Sequence, residues 1–162
     1  MSLLPDHPTQ ATALLADWEQ AHRPLPPALR QVFLQLVAEL LGYKDPQLDC
    51  EDVRYTLMQA DRLGLGRSEA AGPDRASALL TEVLSQLPDP PTPTGRLLVS
   101  FSSNSENELD MDELTLVLEG LQHRVGPEWE MRLGHRAAPG QQPEVRLLVL
   151  LGFDAPGVIH AA

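Results

Sequence analysis

The sequence predicts an α/β (α+β) fold in which helices pack on a mixed four-stranded sheet, with further helices at the N-terminus. Two observations lead to this prediction. Apolar residues first recur with helical spacing, and four runs with strand periodicity then follow, separated at first by helical stretches. The predicted order is helix, helix, helix, strand, helix, strand, helix, strand, strand. Strand–helix–strand connections favour right-handed crossovers with their helices on one sheet face, and the last two strands are expected to close as an antiparallel hairpin.

Two helices open the chain. Residues 8–22 carry an apolar stripe that includes Leu14, Leu15 and Trp18. Trp18 is interpreted as a core residue, with a contact surface as the alternative. The prolines of "RPLPPALR" end this helix and supply a proline for the first turn of the next, which is predicted over residues 28–41.

The middle of the chain is predicted to contain a short helix, a strand and a longer helix. Val53 and Leu57 continue one helical face, and Leu63 and Leu65 then alternate as a strand. The following helix is predicted to have Pro73 as its first residue and to end at the linker "PDPPTPTG".

The last part is predicted to hold three strands and one helix. A strand starts at Arg96, the polar stretch "SNSENE" is predicted to be a loop, and Asp110 or Asp112 caps a helix. Trp129 begins the third strand, "AAPGQQPE" is predicted to be a loop, and an alternating run through Val149 forms the last strand. We expect Val149 and Leu36, which occupy the most regular apolar stripes, to share one core.

Composition excludes several classes of partner. The 162 residues suit one compact domain, and 12 basic against 23 acidic residues give a net charge of −11, which repels nucleic acid and anionic membrane surfaces. Cys50 is the only cysteine, no secretion signal opens the chain, and no apolar run approaches the roughly 20 residues of a membrane span. A cytoplasmic protein is expected.

No enzyme, cofactor or metal site emerges from the sequence. The only lysine, Lys44, follows no glycine-rich loop, so no phosphate-binding signature is present and no cofactor is expected. The histidines lack the spacing of a helical metal site, and no nucleophile and base are paired by a motif. We therefore expect a protein that is not an enzyme and that binds no metal.

The stretch "QLDCEDVR", residues 47–54, is the main candidate site. Asp49 and Asp52 lie one turn apart at the predicted start of a helix, so both carboxylates face the same way. They could cap that helix, or they could jointly orient a water molecule as part of an active site. The two interpretations are compatible.

Four stretches resemble the C-terminal half of FtsZ, a tubulin relative that polymerises, in order and spacing over residues 32–153. "VAELLGYKDPQLDCEDVR" resembles the end of the family's central helix and its acidic loop, and "LGLGRSEAAGPDRASALLTEVLSQL" resembles the strand and "G-x-x-R-A" helix that follow. "GRLLVSFSSNSENELDMDELTLVLEGL" and "PEVRLLVLLGFD" are similar to the later strand–loop–helix segment and the final strand. The resemblance implies the FtsZ C-terminal fold.

The departures from the family pattern are informative. The family's GTP-binding half has no counterpart, and Gln47 stands where its acidic loop usually has asparagine, while Asp49 and Asp52 match the two acidic positions. In FtsZ and tubulin the acidic loop of one subunit completes the GTP site of the next. The resemblance therefore implies that Gln47, Asp49 and Asp52 form half of a site whose other half lies on another protein.

These observations lead to two hypotheses. Residues 1–27 are predicted to form an N-terminal helix with a proline-rich connection, and residues 28–162 an FtsZ-like domain. The first hypothesis is a module that binds an FtsZ-type partner through the acidic loop and modulates or caps its filaments. The second is a scaffold that uses another interface, with a homodimer as one form. Because the chain starts with Met1 and an unmatched helix, we expect a short form rather than a fragment.

Overall fold

The computed structural model describes residues 7–42, 48–58, 60–89 and 92–155. These residues form five helices and four strands. In chain order they are α1 (His7–Ala21), α2 (Pro27–Gly42), α3 (Cys50–Leu57), β1 (Ala60–Ala70), α4 (Arg75–Gln86), β2 (Gly95–Asn104), α5 (Met111–Val125), β3 (Glu130–Ala138) and β4 (Val145–Asp154). The predicted order of elements and the predicted fold class are confirmed.

The four strands form one mixed sheet in the order β1-β4-β2-β3. β4 pairs antiparallel with both β1 and β2, and β3 pairs parallel with β2. The predicted hairpin between the last two strands is therefore wrong. Nearly every residue of β4 is buried, which suits a central strand, whereas the half-exposed β3 takes an edge where one side of the strand meets solvent.

The sheet lies between two layers of helices, with a separate core on each face. One core is formed with α1, α2 and α3, and the other with α4 and α5. Leu36 belongs to the first and Val149 to the second, so the prediction that they share one core is wrong. The reason is the strand period: Val149 faces α4 and α5, whereas its neighbours Leu148 and Leu150 face the first core.

α1 is anchored to the sheet by Trp18. This side chain is buried in the first core and donates a hydrogen bond from its indole nitrogen to the carbonyl oxygen of Ala60, at 3.0 Å. Its ring stacks on His22. The interpretation of Trp18 as a core residue is confirmed, and it leaves little of the ring for an external contact. The boundary predicted after residue 27 stays a prediction.

The start of α4 differs from the prediction. Gly72 has a positive φ of 89°, and its carbonyl accepts a hydrogen bond from the amide of Arg75. Pro73 therefore lies inside a turn, a position that its fixed φ suits, and Asp74 is the N-cap. The first helical residue is Arg75, two positions later than expected.

Two strands are longer than predicted because they pair with each other. The parallel ladder runs from Arg96 opposite Glu130 to Asn104 opposite Ala138. It therefore includes the first two residues of "SNSENE" and the first two of "AAPGQQPE", which were expected to be loops.

Among the described residues, none of the helices has the length and apolar character needed to traverse a membrane.

Candidate interface at the start of helix α3

The first turn of α3 is closed by a reciprocal cap. The Oδ1 atom of Asp49 accepts hydrogen bonds from the amides of Glu51, at 3.0 Å, and Asp52, at 3.2 Å. The Oδ2 atom of Asp52 accepts one from the amide of Asp49, at 2.8 Å. Asp49 itself has the extended backbone of an N-cap residue. The capping interpretation of these two aspartates therefore describes their geometry.

Asp52 also ties α3 to the edge strand of the sheet. Its Oδ1 atom accepts a hydrogen bond from Nη1 of Arg132 in β3, at 3.0 Å. Both carboxylate oxygens of Asp52 thus have partners, one within the helix and one across the fold. The structure brings Asp49 and Asp52 together as predicted, whereas Gln47 lies outside the described residues.

Tyr55 forms the centre of a cluster beside this cap. Two guanidinium groups lie over its ring, those of Arg96 and Arg132, each 4.4 Å from the ring centroid. Its hydroxyl donates a hydrogen bond to Glu130. Arg96 is buried and donates to the carbonyl oxygens of Tyr55 and Met58, which satisfies the end of α3. The stacked arrangement favours both cations because the ring face is negative.

Sequence reasoning missed this cluster. Tyr55 follows Asp52 by three residues, so the two side chains share one face of the predicted helix. That spacing is the sequence signal that could have placed Tyr55 beside the cap. Nothing local to Arg96 or Arg132 indicated their role, because each meets α3 only through the fold.

An open groove of about 500 Å³ adjoins the cap and is lined by Asp52 and residues 130–133 of β3. It displays carboxylates and a guanidinium side by side, but its lining holds no pair of nucleophile and base. Within the described ranges, no group of three or more His, Cys, Asp or Glu side chains is placed to hold a metal ion. The arrangement suits recognition of a polar surface.

Cys50, the first residue of α3, is not an activated thiol. Its pKa lies above the usual cysteine value, chiefly because partial burial disfavours the thiolate, and Arg54 offsets this only in part. A protonated thiol at neutral pH is a poor nucleophile. Cys50 therefore acts as a packing residue at the helix start.

A second polar cluster, at the start of α4, was not predicted. Arg75 is 4% exposed, yet its guanidinium donates five hydrogen bonds, two of them to Glu113 and one to Glu144. The other two reach the carbonyl oxygens of Asn107 and Glu108. All of its donors are satisfied internally, so this cluster holds the fold together and offers no ligand site.

The charges of this cluster stabilise each other. The hydrogen bonds from Arg75 hold the pKa of Glu113 below its usual range, and burial opposes them. The bonds to Glu113 raise the pKa of Arg75 above its usual value. Both side chains are therefore ionised at neutral pH.

The fold can be compared with solved structures. This chain matches an FtsZ dimer from M. jannaschii with a TM-score of 0.58 and 20% identity, over 82% of its length and 41% of that chain. It matches CetZ from Methanosaeta thermophila with a TM-score of 0.54 and 21% identity, over 80% and 39%. It also matches TubZ of Bacillus thuringiensis in GDP-form protofilaments, with a TM-score of 0.56 and 12% identity, over 91% and 40%.

These likenesses show the fold. The sequence matches no protein-family model and no curated protein. The chain has an FtsZ/tubulin-like fold, and it spans about two fifths of the length of the solved structures named above. The resemblance to FtsZ inferred from the sequence is thus confirmed at the level of a partial FtsZ-like domain.

Proposed function

We propose that this chain is a non-enzymatic FtsZ-like module that binds an FtsZ-type partner through the start of α3 and modulates or caps its filaments. The fold supports the proposal, because the solved structures that share it include an FtsZ dimer and TubZ protofilaments. A module with only part of such a fold can occupy one contact and offer no second contact for the next subunit. The proposal also includes a cytoplasmic location and a role in cell division.

The single observation that carries the proposal is the preformed polar surface around the α3 cap. Asp49 is the N-cap residue and is fixed by its hydrogen bonds to the first-turn amides. Next to it Glu51 and Arg54 are well exposed, with 73% and 54% of their side chains accessible. Hydrogen bonds hold the first-turn amides and the cap in place before any partner arrives, and such preorganisation lowers the entropy lost on binding. A polar partner surface is the kind that such a site recognises.

The same geometry favours contact over catalysis in the partner's site. An acid that orients an attacking water needs an oxygen atom directed at that water. Each oxygen of Asp52 already accepts one hydrogen bond, from the Asp49 amide and from Arg132, so the fold directs this carboxylate inward rather than toward a partner's water. We therefore propose that Asp49, Asp52 and Gln47 contribute to docking, with assistance to GTP hydrolysis as the alternative that experiment can separate.

The first experiment measures filament length and sedimentation of an FtsZ-type protein with GTP, with and without substoichiometric amounts of the purified chain. We expect shorter filaments and less pelleted polymer. Glu51→Lys should weaken this effect severalfold, because it reverses an exposed charge beside the cap. Glu82→Lys makes the same change on the exposed surface of α4 and should leave the effect intact. Unchanged filaments with the wild-type chain would refute the proposal.

The second experiment separates docking from hydrolysis. Phosphate release by the partner is measured with wild-type chain, Asp49→Ala and Asp52→Ala at equal concentrations of folded protein. If the acids only dock and cap, phosphate release follows the amount of polymer in every case. A variant that still shortens filaments while stimulation of hydrolysis disappears would assign that aspartate a role in orienting water.

A further inference from the structure

The two outer strands of the sheet differ in how their free edges are covered. β1 has a register shift between Ala60 and Arg62 in its ladder with β4, a bulge that interrupts the regular strand. Further along it, the side-chain amide of Gln86 accepts a hydrogen bond from the Arg67 amide and donates one to the Arg67 carbonyl, both at 2.8 Å. Gln86 thus occupies the place of a neighbouring strand. A bulge and a covering side chain are both ways in which sheet edges are protected from pairing.

The edge of β3 is different. Its nine residues pair with β2 on one side, and no other strand of the described chain pairs with the opposite side. Such an edge offers a row of backbone donors and acceptors to another strand. Leu133, next to its central residue, is one of the few large apolar side chains that are well exposed, at 38%.

We propose that a second copy of this chain pairs antiparallel with β3, so that two four-stranded sheets join into one across a two-fold axis. This inference goes beyond the proposed function and uses the backbone edge of β3, whose residues 130–133 also line the groove beside the α3 cap. With a two-fold axis perpendicular to the sheet, the same face of both copies points to the same side of the joined sheet. Only residues of the same face can then lie opposite each other, which leaves a small number of registers.

Charge, together with the length of the overlap, favours one of these registers. With Leu133 at the axis, Glu130 lies opposite the partner's Arg136 at both ends, and Arg132 lies opposite the partner's Gly134, which leaves room for its long side chain. With Gly134 at the axis, Arg132 would lie opposite the partner's Arg136 twice. With Arg132 at the axis, it would face its own copy. Opposite charges across a strand pair stabilise it and like charges destabilise it, so the register centred on Leu133 is favoured.

A second copy fits this edge better than an unrelated acidic peptide. β3 carries one acidic and two basic side chains, and in the Leu133 register Glu130 lies opposite the partner's Arg136 while no like charges face each other. A uniformly acidic strand would meet the two arginines favourably but would meet Glu130 with like charge. The dimer would also bury the exposed Leu133 of both copies against each other at the axis.

Sedimentation of the full chain over a range of concentrations tests the proposal. The wild type should form a dimer in a concentration-dependent manner, and hydrogen exchange should slow at those amides of residues 130–138 that point away from β2. Leu133→Asp places two carboxylates at the axis and should abolish the dimer. Val32→Asp, which makes a similar change at a 43% exposed position of α2, should leave the dimer intact.

A charge exchange tests the register. Glu130→Arg and Arg136→Glu should each weaken the dimer on the order of tenfold, because each turns two attractive pairs into repulsive ones. The double variant should restore it. A chain that stays monomeric at every concentration, a dimer that Leu133→Asp does not affect, or protection of β3 that appears only when another protein is added would each overturn the proposal.

Discussion

Helices α3 and α5 both begin with a capping box. Asp49 caps α3 while Asp52 reaches back to the cap amide, and Asp110 caps α5 while Glu113 does the same. In both cases the returning carboxylate also binds an arginine that is distant in sequence. Asp52 binds Arg132 at 3.0 Å, and Glu113 binds Arg75 at 2.7 Å.

The two arginines differ in their surroundings. The Arg75 side chain is 5% exposed and uses every donor inside the protein, whereas the Arg132 side chain is 47% exposed. The comparison shows that an acidic pair one turn apart does not by itself distinguish a structural cap from a site for a partner. At α3 it is the exposure of the surface around the cap that makes it a candidate interface.

The largest expected effect is the loss of Arg75. Arg75→Met would leave Glu113 and Glu144 without their cation and two carbonyl groups without a donor. We expect the free energy of unfolding to fall by about 3–5 kcal/mol, as when a buried ion pair loses one partner. Urea titration measures it. A loss below about 1 kcal/mol would mean that water solvates Glu113 and Glu144 once the guanidinium is gone. The cluster would then behave like an exposed ion pair.

The same cluster predicts a pH dependence. The pKa of Glu113 is lowered in the folded protein, so its ionised form stabilises the fold. This contribution is complete above the usual glutamate pKa of about 4.3 and is lost as the pH falls through the lower folded-state pKa. We expect the stability difference between wild type and Arg75→Met to shrink over that acidic range. Urea titrations of both proteins at several pH values measure it, and a constant difference would contradict the assignment to Glu113.

The caps themselves are expected to have similar, smaller effects. Asp49→Ala and Asp110→Ala should each lower the free energy of unfolding by about 0.5–2 kcal/mol, because each removes a side-chain acceptor from first-turn amides. Asp49→Asn and Asp110→Asn keep an acceptor and serve as controls for charge. If Asp49→Ala had no effect on stability while it weakened partner binding, the α3 cap would be maintained for its contact with the partner.

The smallest effect is expected at Arg132. Arg132→Met removes a half-exposed ion pair with Asp52 and a cation–π contact with Tyr55, and such contacts contribute about 0–1 kcal/mol each. The variant should therefore unfold at nearly the same urea concentration as the wild type. A loss comparable to that of Arg75→Met would show that the Tyr55 cluster is as important to the fold as the buried one.

Much of the fold could be read from local patterns. The helical stripes and alternating runs predicted all five helices and four strands in order, because these periods reflect which side of an element is buried. The sequence offered Asp110 or Asp112 as the cap of α5, and the structure selects Asp110, whose amide is bound by the Glu113 side chain three residues later. The start of α4 was misplaced because a proline fits the first turn of a helix and the middle of a tight turn equally well.

The sequence by itself determined the elements, the acidic cap of α3 and the lack of a phosphate-binding motif, since each depends on residues close together in the chain. Only the tertiary structure decided that β4 lies between β1 and β2, that Leu36 and Val149 face different cores, and that Arg75 and Arg132 reach the two caps. Strand order and long-range ion pairs depend on how buried surfaces from distant segments fit together. The spacing of apolar residues within one segment carries no information about that fit.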